Sequence, residues 1–258
     1  MSAPQTPDVA EAPIAARRRL WLLVLFPLAF VGLAVRLLVP GHWLAAHAHT
    51  LRTALPAVHL AAGLVAWYAL VRRPLFSLRG WAWASVLLIG MMAVQSVVVQ
   101  RGLGPADRPG WLAWQFVRLI VLIGLAEELW FRGVWFEIVG RNALLSVVAG
   151  GALFGLSHLH QGLLMVLITG SAGCAYAAAR HRGASLLSLA LAHGLMDFAN
   201  GILFPGAAAR FSLTAIMVIA PALILTVALA LMLIGRWPLR FRAKMGKRQE
   251  PHGSQAAD

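Results

Sequence analysis

Residues 17–39 read RRRLWLLVLFPLAFVGLAVRLLV, and this stretch decides the fold class. From Leu20 to Val39 only Arg36 interrupts an apolar run, and at a rise of about 1.5 Å per residue some twenty helical residues cross a hydrocarbon core of about 30 Å. Three consecutive arginines on one flank hold that end in the cytoplasm. The pattern is that of an uncleaved signal anchor. A cleaved signal peptide has a shorter apolar region, and Ala46-His47-Ala48, a small-x-small site, lies too far downstream.

Working outward, seven more apolar segments follow, at 54–71, 81–99, 111–135, 143–157, 163–179, 184–204 and 211–234. The fifth and sixth of the eight are short for a crossing. The whole chain agrees with this reading: of 258 residues 60% are hydrophobic and 12% charged, against about 25% charged in soluble proteins. A water-soluble domain is thereby excluded. The net charge of +13 sits in short clusters between apolar runs, which fits cytoplasmic anchoring and not nucleic-acid binding. The single cysteine, Cys174, rules out disulfide scaffolds, thiolate zinc sites and CxxC redox chemistry.

Loop charges set the orientation. With the N-terminus inside, the inner segments hold sixteen Lys and Arg and the outer ones five, with Arg118 left inside the fourth span. The expectation is an all-α, polytopic membrane helix bundle of about eight transmembrane helices with both termini cytoplasmic, in a bacterial cytoplasmic membrane. It divides into a disordered tail at 1–16, a membrane-embedded domain at 17–235 and a basic tail at 236–258.

Ionisable groups inside spans mark function, and three spans supply them. The fourth carries Glu127-Glu128-Leu129-Trp130-Phe131-Arg132, the fifth ends Phe154-Gly155-Leu156-Ser157-His158, and the seventh carries His193 and Asp197 with Asn200 beyond. Glu128 and Arg132, four apart on one helix face, form an ion pair. Glu127 points about 100° away, without that partner, and suits a general base. With a turn at Gly140-Arg141-Asn142, Glu127 and His158 lie at matching depth, roughly 23 Å from it. His193, Asp197 and Asn200 form one polar stripe. A lone histidine is more often a structural hydrogen-bonder, the reading given to His59, His160 and His181. Ser157, beside His158 in sequence, diverges from it around the helix and ranks low as a nucleophile. Small residues Gly170, Gly173, Ala175, Ala177 and Ala178 allow close helix packing.

Taken in order, EExxxR, FxxxH and HxxxD on separate spans resemble the CPBP family of intramembrane proteases, which includes the type II CAAX prenyl endopeptidases and bacteriocin-processing, Abi-like proteins. The resemblance covers 111–204. It implies a site of Glu127, Glu128, Arg132, His158, His193 and Asp197. Glu127 and His158 would activate water, and His193 with its i+4 partner would stabilise the oxyanion. That partner is Asp197, where the family commonly has Asn. A carboxylate donates no hydrogen bond unless protonated, so Asp197 is expected to orient His193, or Asn200 to donate in its place.

The residues leave three readings open. The first is an endopeptidase without metal or cofactor, acting on a membrane-associated or lipidated protein or peptide in the bilayer. The second is a zinc protease with His158, His193 and Glu127 as ligands, although HExxH is absent and Arg132 puts positive charge where the cation would sit. The third is a non-catalytic transport or immunity protein whose carboxylates relay protons or bind a target.

Overall fold

The computed structural model describes residues 11–100, 109–140, 142–200, 208–209 and 212–234. The expected turn residue Arg141, the end of the seventh segment at 201–204 and the basic tail at 236–258 lie outside the described residues. Eight apolar helices run in sequence: α1 (Ala16–Leu38), α2 (Ala48–Val71), α3 (Gly80–Val97), α4 (Pro109–Val139), α5 (Leu145–Ser157), α6 (Leu163–His181), α7 (Leu186–Phe198) and α8 (Thr214–Leu233). The protein is a helical membrane bundle. A two-residue antiparallel pairing of Val99–Gln100 with Ala208–Ala209 is the extended structure among the described residues.

Six of these helices are long and apolar enough to cross a membrane, while α5 and α7 are shorter. The sixth segment therefore reaches full length, against expectation: polar Arg180 and His181 continue the helix past Ala179 to the break at Gly183, whose φ is +104°. Helix also begins at Glu11, so residues 11–16, expected in a disordered tail, are helical.

Burying apolar surface gains little between helices already in lipid, so association rests on close packing and polar contacts. The outward faces present Leu38, Val65, Leu78, Ile89 and Val218, all largely exposed, which a lipid solvent covers. Inside, two apolar clusters form. One gathers Leu22, Phe26, Trp67, Trp130, Phe131 and Phe154 from α1, α2, α4 and α5. The other gathers Leu87, Tyr176, Leu189, Met196 and Ile224 from α3, α6, α7 and α8. The Ala175–Ala179 stretch of α6 is buried on every side. The close packing expected of α6 is present: a Cβ on Gly155 would lie 2.6 Å from the Val166 carbonyl oxygen and one on Gly173 2.9 Å from Gly151 Cα.

One end of the bundle is tied by charge. Arg73 Nη1 lies 2.8 Å from Glu137 Oε1 and Arg18 Nη2 3.4 Å from Glu137 Oε2, joining α1, the α2–α3 connection and the end of α4. At the same end Arg182 Nε donates to the Leu231 carbonyl oxygen at 2.9 Å and Nη2 to that of Met232.

Candidate active site

The site forms where the two clusters meet, and the α4–α7 crossing builds it. A Cβ on Gly194 would sit 2.5 Å from Ile120 Cα, and one on Gly124 would sit 2.8 Å from the Ala190 carbonyl oxygen. Only glycine permits this approach. Glu128 stands one turn beyond Gly124 and His193 adjoins Gly194, so the crossing sets the carboxylate against the imidazole. Wide π-helical turns at Arg118–Leu125 and Leu129–Val134 flank the three α-helical residues Ala126–Glu128. Such turns are frequent at functional positions, and nothing in the sequence pattern announced them.

Glu128 is fully buried. Its Oε1 accepts from Arg132 Nη1 at 3.2 Å, the expected i,i+4 pair, and from His193 Nδ1 at 2.9 Å. Its Oε2 has no hydrogen-bond partner. Arg132 is fixed further: Nη2 donates to the Gly173 carbonyl oxygen at 3.2 Å, and Cζ lies 4.3 Å from the Phe154 ring centroid and 5.4 Å from that of Tyr176. The tight α5–α6 contact thus supplies a second hydrogen-bond acceptor to the guanidinium, and aromatic faces cover it.

Because a carboxylate only accepts, His193 Nδ1 carries a proton. The other ring nitrogen, Nε2, lies 3.5 Å from Glu127 Oε2 and 3.7 Å from Asp197 Oδ2. Tyr176 and Phe154 bracket the ring, with centroids 5.1 and 5.7 Å away. The hydrogen-bond acceptor of His193 Nδ1 is therefore Glu128. Asp197, expected to orient the ring, meets the other nitrogen, Nε2, at ion-pair distance from its i+4 position on the same helix.

His158 ends α5, where φ −98° and ψ 9° take it out of helical geometry. Its Nδ1 donates to the Phe154 carbonyl oxygen at 3.0 Å, which leaves Nε2 as the lone-pair nitrogen of the neutral ring. The break also brings Ser157 Oγ within 3.1 Å of Nδ1, closer than helical divergence implies, but that hydroxyl donates to Phe154 O at 2.7 Å.

Glu127, His158, His193, Asp197 and Asn200 line one cavity of about 640 Å³, with Tyr176 and Phe154 in its wall. Glu128 and Arg132 stand behind it, buried. His59, read as structural, also lines the cavity and stacks on Trp130, 5.9 Å between centroids. His160 also lines the cavity and stacks with His158, 6.5 Å between centroids, and is held below its usual pKa by burial and by the charge of Arg36. The lining comes from the later halves of α1, α3, α5 and α7, the earlier half of α2, and the earlier parts of α4 and α6 on to just past their middles at Glu127, Phe131 and Tyr176. These parts lie toward the end of the bundle opposite the Glu137 ion pairs. Among the described residues no three His, Cys, Asp and Glu side chains converge as ligands for one metal ion, the zinc set of His158, His193 and Glu127 included.

Residues 109–199 match the family model described as type II CAAX prenyl endopeptidase Rce1-like, a span that contains every residue of the expected site. No curated protein and no solved structure matches the chain.

Proposed function

We propose, from the match of residues 109–199 to the family model described as type II CAAX prenyl endopeptidase Rce1-like, that the chain is an intramembrane endopeptidase hydrolysing a peptide bond of a membrane-associated protein or peptide without a metal cofactor. The observation that carries the reading is the convergence of Glu127, His158, His193 and Asp197 on one cavity, with the Glu128–Arg132 pair buried behind His193.

In this reading Glu127, assisted by the lone pair of His158 Nε2, takes a proton from water as its oxygen bonds to the scissile carbonyl carbon. The carbonyl oxygen becomes an oxyanion. A protonated His193 Nε2 faces it, held in direction by Glu128 on Nδ1, which Arg132 in turn holds. A donor fixed in this way needs no reorganisation as charge develops, the condition under which such contacts are worth about 10² to 10³ in rate. The proton on Glu127 then passes to the leaving amine nitrogen as the C–N bond breaks. Asp197 and Asn200 contact the substrate backbone on the same face.

If the loop charges set the topology, with both termini cytoplasmic, the cavity faces the opposite side of the membrane, and the substrate presents its cleavable segment there. The test is cleavage of peptides by the purified protein in liposomes. Glu127→Gln and His158→Ala are expected to lower the rate at least about 10²-fold. Full activity in both variants would remove the proposed chemistry.

A further inference from the structure

One buried polar side chain in the wall of the site has no task yet. Tyr176 of α6 is 3% exposed, and it lines the same cavity as Glu127 and His193. Its ring is held in place: the His193 ring centroid lies 5.1 Å away with the two planes at 40°, and Arg132 Cζ lies 5.4 Å from the phenol centroid. A buried tyrosine hydroxyl ordinarily finds a hydrogen-bond partner. On α5 and α6 the other hydroxyls do so, because Ser146, Ser157, Thr169 and Ser171 each donate to a backbone carbonyl oxygen. The Tyr176 hydroxyl makes no hydrogen bond among the described residues. Nor is it one of the sealed, unpartnered polar atoms, which include Glu127 Oε2 and Glu128 Oε2. It therefore opens into the cavity, where Glu127, Glu128, Asp197 and Arg132 all act on it electrostatically.

Hydrolysis of an amide puts negative charge on the carbonyl oxygen, and the step needs donors already fixed around that atom. His193 Nε2 is one. Glu127 and Asp197 are acceptors when ionised, and His158 presents a lone pair. Asp197 lies 3.7 Å from His193 Nε2, beside the place where a second donor would stand, and has no proton to offer. A phenol can donate there without adding charge. No existing bond has to break first, since the hydroxyl is free, and the ring packed beside His193 needs no reorganisation.

We propose, on the endopeptidase reading of the same cavity, that the Tyr176 hydroxyl is a second oxyanion donor, facing the scissile carbonyl oxygen together with His193 Nε2. Tyr176 keeps its proton throughout. Its hydrogen bond strengthens as water adds to the carbonyl carbon and weakens as the C–N bond breaks and the carbonyl re-forms. The reaction thereby gains a catalytic residue on α6, a helix that contributes none of the titrating groups.

The experiment offers a pool of random-sequence apolar peptides to the full-length parent in liposomes, identifies products by mass spectrometry, and then measures kcat and KM on one peptide that the parent cleaves. Tyr176→Phe is expected to lower kcat about 10²-fold with KM nearly unchanged, the signature of an interaction made in the transition state. Its thermal midpoint should equal the parent's, because the hydroxyl bonds to nothing within the protein. Asp197→Asn added to Tyr176→Phe should restore at least about tenfold, since an amide N–H supplies a donor beside the same nitrogen. A Tyr176→Phe kcat within about threefold of the parent keeps the protease and overturns the inference. So does a loss confined to KM, or one that follows a lowered midpoint, which would make the residue a binding or packing group. Absence of rescue, with Asp197→Asn active on its own, places the hydroxyl elsewhere and overturns it too. Asn200 also lines the cavity, and a large loss in Asn200→Ala with none in Tyr176→Phe would give the role to that amide. A parent that releases no product from the pool refutes the protease reading, and the inference with it.

Discussion

Glu128 on α4 and His193 on α7, sixty-five residues apart in sequence, meet through a 2.9 Å hydrogen bond from Nδ1 to Oε1. The same oxygen receives Arg132, so one carboxylate both neutralises a buried cation and aims an imidazole. Glu128→Ala leaves Arg132 buried without its counter-ion and is expected to destabilise the protein by about 3–5 kcal/mol, read as a lowered thermal midpoint in detergent. Glu128→Gln keeps an acceptor for Nδ1 and should fold, with activity reduced at least about 10²-fold. Asp197→Asn, by contrast, should stay within about tenfold of the parent, since Asp197 makes no hydrogen bond to the ring. A larger loss in Asp197→Asn than in Glu128→Gln would reverse the two roles.

Close approach of α4 and α7 depends on Gly194. Gly194→Ala puts a methyl 2.5 Å from Ile120 Cα and is expected to destabilise by about 1–3 kcal/mol, an overpacking effect, and to lower activity as Glu128 and His193 separate. Gly110→Ala, where no neighbouring atom lies within 4 Å, serves as the control and should match the parent. Equal behaviour of the two variants in thermal unfolding and cleavage would count against the crossing as the source of the site geometry.

The eight apolar segments and the Glu128–Arg132 pair were legible because each rests on local periodicity: long apolar runs, and an i,i+4 spacing on one helix. The residues that converge were also legible individually, as costly groups inside spans. What escaped was partnership across helices. The pairing of Asp197 with His193 followed from their own i,i+4 spacing, whereas the acceptor of Nδ1, Glu128, is set by a glycine crossing that sequence spacing does not encode. Glu137, which ties Arg18 and Arg73, sits at a helix end where a single acid gives no signal.

Orientation is testable by thiol chemistry. In a Cys174→Ala background, Gln161→Cys at the cavity end is expected to react with a membrane-impermeant maleimide in intact cells, and Arg19→Cys only in inverted vesicles. The opposite pattern would turn the bundle over and make the cavity cytoplasmic.

A strong chelator is expected to leave cleavage by the purified protein unchanged, since Glu127, His158 and His193 do not converge as a ligand set among the described residues and Arg132 already supplies positive charge beside Glu128. Activity that is lost on chelation and restored by zinc would favour the metal-dependent reading.

The central claim, that this chain hydrolyses peptide bonds with Glu127 as base, is tested most directly by a proteomic comparison of membrane-protein C-termini in cells expressing the parent or Glu127→Gln at equal levels. The account predicts a set of shortened C-termini present with the parent and absent with the variant. Identical C-termini in the two, with both proteins folded in the membrane, would contradict it.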